Sequence, residues 1–526
     1  MQRAAFLDRL RVADEPFDFA IIGGGATGLG IAVDAAARGW RVALCERGDF
    51  ASGTSSRSTK LVHGGVRYLR QGHVPLVLDA LRERGRLAAN APHLVRDLAF
   101  VIPTYAWWEG PFYGLGMKVY DGLAGRLGFG PSRHLSREET VALLPTVERE
   151  HLTGGVIYHD GQFDDARLAL NLAQTAAVHG AALLNYAPCT GLVKERGAVT
   201  GVEIRDAETG AEFTVRARVV INATGVFVDA VRRMDEAGAG EMVAVSQGIH
   251  LVLPRRFLPG DTALMVPRTA DGRVLFAVPW HGRVVVGTTD TPRSAPEAEP
   301  RALDDEREFV MAHARRYLAQ DPAEADVLSV FAGQRPLVRA GGGAGTAALS
   351  RDHAIVVSAS GLLTITGGKW TTYRRMAEDA VDRAQALVGL AARPCVTAEL
   401  SIHGATRAEI RAENLQPYGA DAAALAALIA SDPAWAQPLH PALPYQRGEV
   451  AWHARHEMAR TVEDVLARRT RALLLDARAA LEAAPLAARL LAAELGHDPA
   501  WERVQVAAFT ALARGYIFTD PASRTA

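Results

Sequence analysis

The sequence predicts an α/β protein with a parallel sheet near its N-terminus, an antiparallel sheet in its middle and an all-helical C-terminal region. Three observations predict this. A short apolar run, FDFAII, leads into GGGATG and then a helical pattern. Between about residues 236 and 345 the chain turns to Val- and Leu-rich pieces punctuated by Pro and Gly, the make-up of strands and turns. From about residue 399 it becomes rich in Ala, Leu and Arg at helical period.

FDFAII reads as a buried strand. Gly23, Gly25 and Gly28 then fill the three positions of G-x-G-x-x-G, and Ile31, Val33, Ala35 and Ala36 suggest a helix ending at Gly39. A second strand, WRVALCE, closes on Glu46, about twenty residues beyond the glycines. This is the Rossmann arrangement. The first glycine permits the tight turn, the second lets a pyrophosphate approach the backbone, and the third lets helix and strand sit close. The helix N-terminus offers amides and partial positive charge to phosphate, while Glu46 can accept from ribose hydroxyls. A Gly-rich helix start alone is often only a packing solution; strand, glycines, helix, strand and acid together predict dinucleotide binding.

A nicotinamide enzyme would normally continue with another βαβ unit. Here the chain gives way to GDFASGTSSRSTKLVHGG, a long polar loop. Its Thr54, Ser55, Ser56, Ser58, Thr59, Lys60, His63, Gly64 and Gly65 suit the wrapping of an extended FAD, although a solvated loop would share that composition. Farther on, an apolar strand ends in Ala223-Thr224-Gly225, where small residues permit close backbone approach. The alternation before it, around Glu208-Thr209-Gly210, predicts a β-hairpin. GLLTITGGKWTTYRRMAEDA places a strand, then Gly367, Gly368, Lys369, Trp370 and Thr371 at a helix start, with positive charge where a reduced flavin gathers negative charge.

The totals exclude several classes. The chain has 526 residues, and its 58 basic and 59 acidic side chains nearly cancel, so no bulk field draws it to nucleic acid. Cys45, Cys189 and Cys395 form no CxxC or Cys/His spacing, so no metal site is expected. The first twenty residues hold no uninterrupted apolar core of a signal peptide, and no run has the length of a spanning helix. These features predict a cytoplasmic protein, or one attached to a membrane face. DDEREFVMAHARRYLA predicts a helix with acids in its first turn, and VEDVLARRTRALLL one with a solvated basic face.

IIGGGATGLGIAVDAAARG, TSSRSTKLVHGGVRYL, NATG, GTTDT, QRPL, SRDH and GGKWTTYRRMAED together resemble the FAD-dependent glycerol-3-phosphate dehydrogenases, the quinone-linked enzymes of aerobic bacteria and mitochondria. The resemblance runs from about residue 17 into the helical region. It implies oxidation of sn-glycerol 3-phosphate to dihydroxyacetone phosphate, with hydride passing from C2 to FAD and electrons to a membrane quinone. By motif it assigns Arg67, Tyr68, Arg351 and Lys369 to substrate binding and His250 and Arg335 to the C2 hydroxyl. A small phosphate dianion calls for such a cationic cluster. Taken alone, His250 in an apolar strand reads as a core residue; its motif makes it a candidate proton acceptor. Arg335 either polarises the alcohol or takes part in removing its proton. Gln334 departs from the small or aliphatic residue the family pattern leads one to expect.

The resemblance divides the chain into FAD-binding segments at 17–75, 161–235 and 346–398, a substrate or membrane-facing segment at 76–160, a substrate-binding domain at 236–345 and the helical domain at 399–526. It also implies attachment to the inner face of the cytoplasmic membrane and a homodimer. YAWWEGPFYGLGMKVYDGLAGRLGFG, residues 105 to 130, is the candidate membrane contact, or else a buried aromatic helix. Oxygen in place of quinone as acceptor stays open, as does a flavin-binding scaffold without turnover.

Overall fold

The computed structural model describes residues 1–65, 74–266, 269, 272–339, 353–410, 412 and 414–518. Two sheets organise it. The first is built on Phe17–Ile22, five of whose six residues are buried, which is why it reads as an unbroken apolar run. Glu212–Asn222 and Val42–Cys45 flank it in parallel; Leu363–Gly367 and Ala182–Leu184 extend the sheet outward. The helix Ala26–Ala37 lies between the helices Asp165–Val178 and Tyr373–Leu387. A Cβ on Gly30 would come within 2.9 Å of the Tyr373 ring, so that packing depends on a missing side chain. Glu212–Asn222 pairs over its outer half with Ala198–Arg205, forming the expected hairpin.

The second sheet centres on Val243–Pro254, antiparallel to Arg283–Gly287 and Ser329–Val338. Leu275–Trp280 and Ala263–Val266 follow. The sheet then continues into earlier sequence: Ala263–Val266 pairs in parallel with Val95–Thr104, which pairs with Gly154–Phe163, and that strand takes in Leu61–Val62 of the polar loop. Nine of the ten residues of Gly154–Phe163 are buried, so it carries no alternation by which sequence could place it. One edge of the polar loop is thus stitched into a sheet while its other end caps the Rossmann helix.

The C-terminal region is helical as expected. Ala480, Ala484, Ala487 and Leu491 form the buried face of Ala477–Leu495, which packs on Pro499–Arg514. The basic face of VEDVLARRTRALLL is the exception. Arg468, Arg469 and Arg471 are buried, not solvated. Arg468 Nε donates to Asp49 at 2.6 Å, Arg469 grips the same carboxylate, and Arg471 donates to Asp165 at 2.8 Å and to the Ser56 carbonyl at 2.7 Å. A helical period marks which face is basic; it cannot show that carboxylates some 300 to 420 residues away in sequence cover that face.

The same interface holds a buried bidentate pair, Arg167 to Glu457 at 2.7 and 2.9 Å. Burial alone would raise the Glu457 carboxyl, but Arg167, together with His453 and Arg469, outweighs it and brings the group down to about 2. Glu457→Gln, which strands a buried guanidinium, should cost about 3–5 kcal/mol in a denaturant titration. The native pair's contribution should be complete above about pH 4.5 and fade as pH falls towards 2.

Candidate active site

The site is assembled where the glycine turn, the polar loop and the second sheet meet. Gly23 sits at φ +112°, and a Cβ there would stand 2.7 Å from the Ala223 carbonyl oxygen, so the Ala223-Thr224 turn closes directly over it. A Cβ on Gly28 would fall 1.9 Å from the Gly23 carbonyl. By contrast, a Cβ on Gly225, at φ +61°, would meet no protein atom within 4 Å. Glu46 accepts from the Gly24 amide at 2.7 Å and the Gly48 amide at 2.9 Å, which fixes the turn from the second strand. Burial pushes its carboxyl above the ordinary range. Ser55 Oγ accepts from the Ala26 amide at 2.9 Å and so caps the Rossmann helix from the polar loop.

The last motif joins the first. Trp370 Nε1 donates to the Ser55 carbonyl at 3.0 Å, and Thr371 Oγ1 accepts from the His63 amide at 3.2 Å. Thr366 Oγ1 donates to the Gly225 carbonyl at 3.2 Å. Gly368 is held at φ +67° above Met376, whose sulfur would lie 2.3 Å from a Cβ. Lys369 follows at the start of the turn leading into Tyr373–Leu387. This cradle fits an FAD: tight where glycine lets strand and helix meet, open at Gly225, and lined by hydroxyls and amides.

Three residues of the loop are turned to other tasks. Thr54 Oγ1 donates to the Gln334 carbonyl at 2.6 Å, and Ser56 Oγ to Gly53. Lys60 is wholly buried, its ammonium 2.7 Å from Asp165 and 2.8 Å from the Ser56 carbonyl. Burial brings it down to about 7, Asp165 holding it up against Arg471. Lys60, expected at the cofactor, thus directs its side chain to Asp165, a carboxylate that the sequence did not show behind the polar loop.

Beside the cradle lies a cavity of about 190 Å³, lined by Thr59, His63, Asp160, Arg273, Asp290 and Arg335 among others. Arg335 Nη2 donates to Thr288 Oγ1 at 3.2 Å, and its other nitrogen lies 3.6 Å from Asp290. Asp290 also pairs with Arg273 at 3.3 Å and accepts from Ser246. One carboxylate thus spaces two guanidiniums, and Gly248 leaves room for one of them, since its Cβ would lie 2.2 Å from Arg335. Gln334 accepts from the Glu297 amide at 2.8 Å, anchoring the neighbouring loop. His250 is 2 % exposed and stands one layer behind the wall, its Nε2 2.9 Å from Thr59 Oγ1 and its ring stacked on Phe331.

Gly64 and Gly65 end the described part of the loop. The Gly64 amide donates to Tyr120 at 2.8 Å, and Tyr120 donates to Asp160, itself paired with Arg84 at 2.7 Å. Tyr120 belongs to the helix Glu109–Ala124, whose inner face is therefore buried against the site. Arg67, Tyr68 and Arg351 lie outside the described residues. Arg273, Asp290 and Asp160 were missed: the Asp of GTTDT was visible as part of a motif, while Arg273 and Asp160 carry no local signal.

The chain is similar to known proteins over most of its length. Residues 18–374 match the FAD dependent oxidoreductase model, and residues 363–502 match the C-terminal domain of alpha-glycerophosphate oxidase. A probable mitochondrial glycerol-3-phosphate dehydrogenase of Caenorhabditis elegans is 41% identical over 94% of this chain and 72% of its own. The mitochondrial glycerol-3-phosphate dehydrogenase SDP6 of Arabidopsis thaliana is 40% identical over 94% of this chain and 85% of its own. The crystal structure of the glycerol-3-phosphate dehydrogenase from Bacillus halodurans complexed with FAD superposes with a TM-score of 0.80 at 29% identity, covering 99% of this chain and 98% of that one. The glycine cradle, the cationic cavity beside it and the helical C-terminal region have one common explanation: the chain belongs to the FAD-dependent glycerol-3-phosphate dehydrogenase family.

Proposed function

We propose that the enzyme oxidises sn-glycerol 3-phosphate at C2 to dihydroxyacetone phosphate and delivers the electrons to a membrane quinone. The observation that carries the reading is the meeting of the dinucleotide cradle with a small cavity in which Asp290 holds Arg273 and Arg335 side by side. Two guanidiniums suit a phosphate dianion, or an alcohol oxygen gaining negative charge. Arg67, Tyr68, Arg351 and Lys369 belong to the same reading through their motifs. Gly23, Gly25, Gly28 and the first turn of Ala26–Ala37 would hold the FAD pyrophosphate and Glu46 its ribose, while Ser55, Thr59, Trp370 and Thr371 would border the rest. FAD, once bound, supplies the hydride acceptor. The residues supply the anion site, the orientation of C2 and the route for its proton.

The test is anaerobic addition of glycerol 3-phosphate to the purified yellow protein. Bleaching of the flavin bears the reading out, and a flavin that stays oxidised overturns it. Recolouring by a quinone analogue but slowly by air identifies the quinone as acceptor; rapid recolouring by air with peroxide formation identifies oxygen.

The membrane part of the proposal rests on Glu109–Ala124 and the residues before it. Trp107, Phe112 and Leu115 are 85, 52 and 71 % exposed, and Phe112, Leu115 and Val119 share the face opposite buried Met117 and Tyr120. The segment is thus buried on one side and openly apolar on the other. Among the described residues no helix is long and apolar enough to cross a membrane, so the contact would be peripheral. The triple variant Trp107→Ser, Phe112→Ser, Leu115→Ser should lose at least ~100-fold in affinity for vesicles of mixed zwitterionic and anionic phospholipid, and still bleach with substrate. A homodimer on the inner face of the cytoplasmic membrane completes the reading; light scattering of the solubilised enzyme tests its mass.

A further inference from the structure

Thr59 stands between the cavity and His250. Its side chain lines the cavity, whereas the histidine does not. Its Oγ1 lies 2.9 Å from His250 Nε2, and the imidazole is wedged between Phe331, at a centroid distance of 4.8 Å, and Gly287, where a Cβ would fall 2.3 Å from the ring. The residues on either side of Thr59 are fixed from behind. Asp165 Oδ2 accepts from the Ser58 amide at 3.0 Å, from Ser58 Oγ at 2.7 Å and from Lys60 Nζ at 2.7 Å, while Asp165 Oδ1 accepts from Arg471 Nη2 at 2.8 Å. Lys60 itself takes φ +66°, a left-handed conformation this clamp must hold.

We propose that the Thr59 hydroxyl carries the proton from the substrate's C2 hydroxyl to His250, and that Asp165 and Arg471 are the positioning residues that aim it. The proposal rests on the reading of His250 as proton acceptor and adds how a buried ring reaches the substrate. The C2 O–H bond breaks and its proton forms a new O–H bond on Thr59 Oγ1, while the proton already there passes to His250 Nε2. The threonine ends unchanged. The C2 hydrogen would leave with its electron pair to bound FAD, the two-electron acceptor of the proposed reaction, and the alcohol would become a ketone. One hydroxyl oxygen can donate and accept at once, which is the property such a relay needs. Nε2 is then the nitrogen with the free lone pair. Burial, with Lys60 and Arg335 nearby, holds the imidazole well below its usual range, so in the resting enzyme the ring is neutral.

The test compares Thr59→Val, Thr59→Ser, His250→Gln and Thr59→Val/His250→Gln holoenzymes by anaerobic stopped-flow bleaching in H₂O and D₂O. Binding of dihydroxyacetone phosphate, read from the flavin spectrum, serves as the measurement independent of turnover. Thr59→Val keeps the shape and removes the hydroxyl. It should bleach ~100-fold or more slowly, bind the ketone within about threefold of wild type and lose the solvent isotope effect; Thr59→Ser should stay within about tenfold of wild type. Because the two residues act in series, the double variant should be no slower than His250→Gln alone.

Bleaching of Thr59→Val at the wild-type rate with the isotope effect intact overturns the relay. So does a double variant whose losses multiply. If His250→Gln is itself fast, the reading of His250 falls and the acceptor is a group on the cavity wall, where His63 supplies an imidazole. If His250→Gln is slow and Thr59→Val is fast, only the relay falls. A Thr59→Val protein that binds neither FAD nor ketone, while Thr59→Ser binds both, assigns Thr59 to the cofactor and also overturns it.

Discussion

A Gly28→Ala chain should purify colourless. The new methyl would sit 1.9 Å from the Gly23 carbonyl oxygen and 3.4 Å from the Ile21 side chain, and the nearer neighbour is backbone that no rotamer change can move. The helix Ala26–Ala37 must then lift from Phe17–Ile22, carrying with it the amides that would meet the FAD pyrophosphate. Overpacking of this kind costs typically ~1–3 kcal/mol, and a contact this short belongs at the upper end or beyond. The expected result is a folded protein with less than about a tenth of the wild-type flavin absorbance per chain. Gly116→Ala is the control. Its Cβ meets nothing within 4 Å in the helix Glu109–Ala124, so its colour should be unchanged. A yellow, stoichiometric Gly28→Ala enzyme would remove this turn from the cofactor site.

Arg335→Met should lower kcat/KM for glycerol 3-phosphate by about 10³-fold, on the scale of losing a charged donor at a reacting oxygen. The loss has two parts. The cavity gives up one of its guanidiniums, and Asp290, still 3.3 Å from Arg273, loses a cationic neighbour and presents more negative charge to an anionic substrate. Arg335→Lys restores the charge but not the planar fork that reaches Thr288 and Asp290 together, so it should recover only part of the activity. Steady-state kinetics separate the roles. A fall confined to KM makes Arg335 an anchor for the phosphate, whereas equal falls in kcat and kcat/KM place it at the C2 oxygen.

What was legible in the sequence was local. FDFAII, the glycines and Glu46 lie within thirty residues of one another, and each answers to a short-range demand of turn, helix start or strand end. GGKW was legible for the same reason, and so was the Ala-rich helical region. Depth and distance were not. His250 sits on a strand whose period places its side chain on one face but cannot show that Thr59 lies in front of it. Arg468, Arg469 and Arg471 looked like a solvated basic face because Asp49 and Asp165 are hundreds of residues away. Asp290 belonged to a motif without a role until the fold brought Arg273 and Arg335 to its two sides. Polar residues whose partners are remote in sequence are thus the ones that only three-dimensional proximity can assign.

Arg471 has a further consequence, for the order of events at the ribosome. It meets Asp165 and the Ser56 carbonyl across 306 and 415 residues of chain. While the first 470 residues emerge, Lys60 and Asp165 can pair but their third partner is still unsynthesised. Domains fold largely in order of synthesis, N-terminal first. The parallel sheet can therefore form early, whereas the segment bearing Thr59 gains its last clamp only once Arg471 has been made.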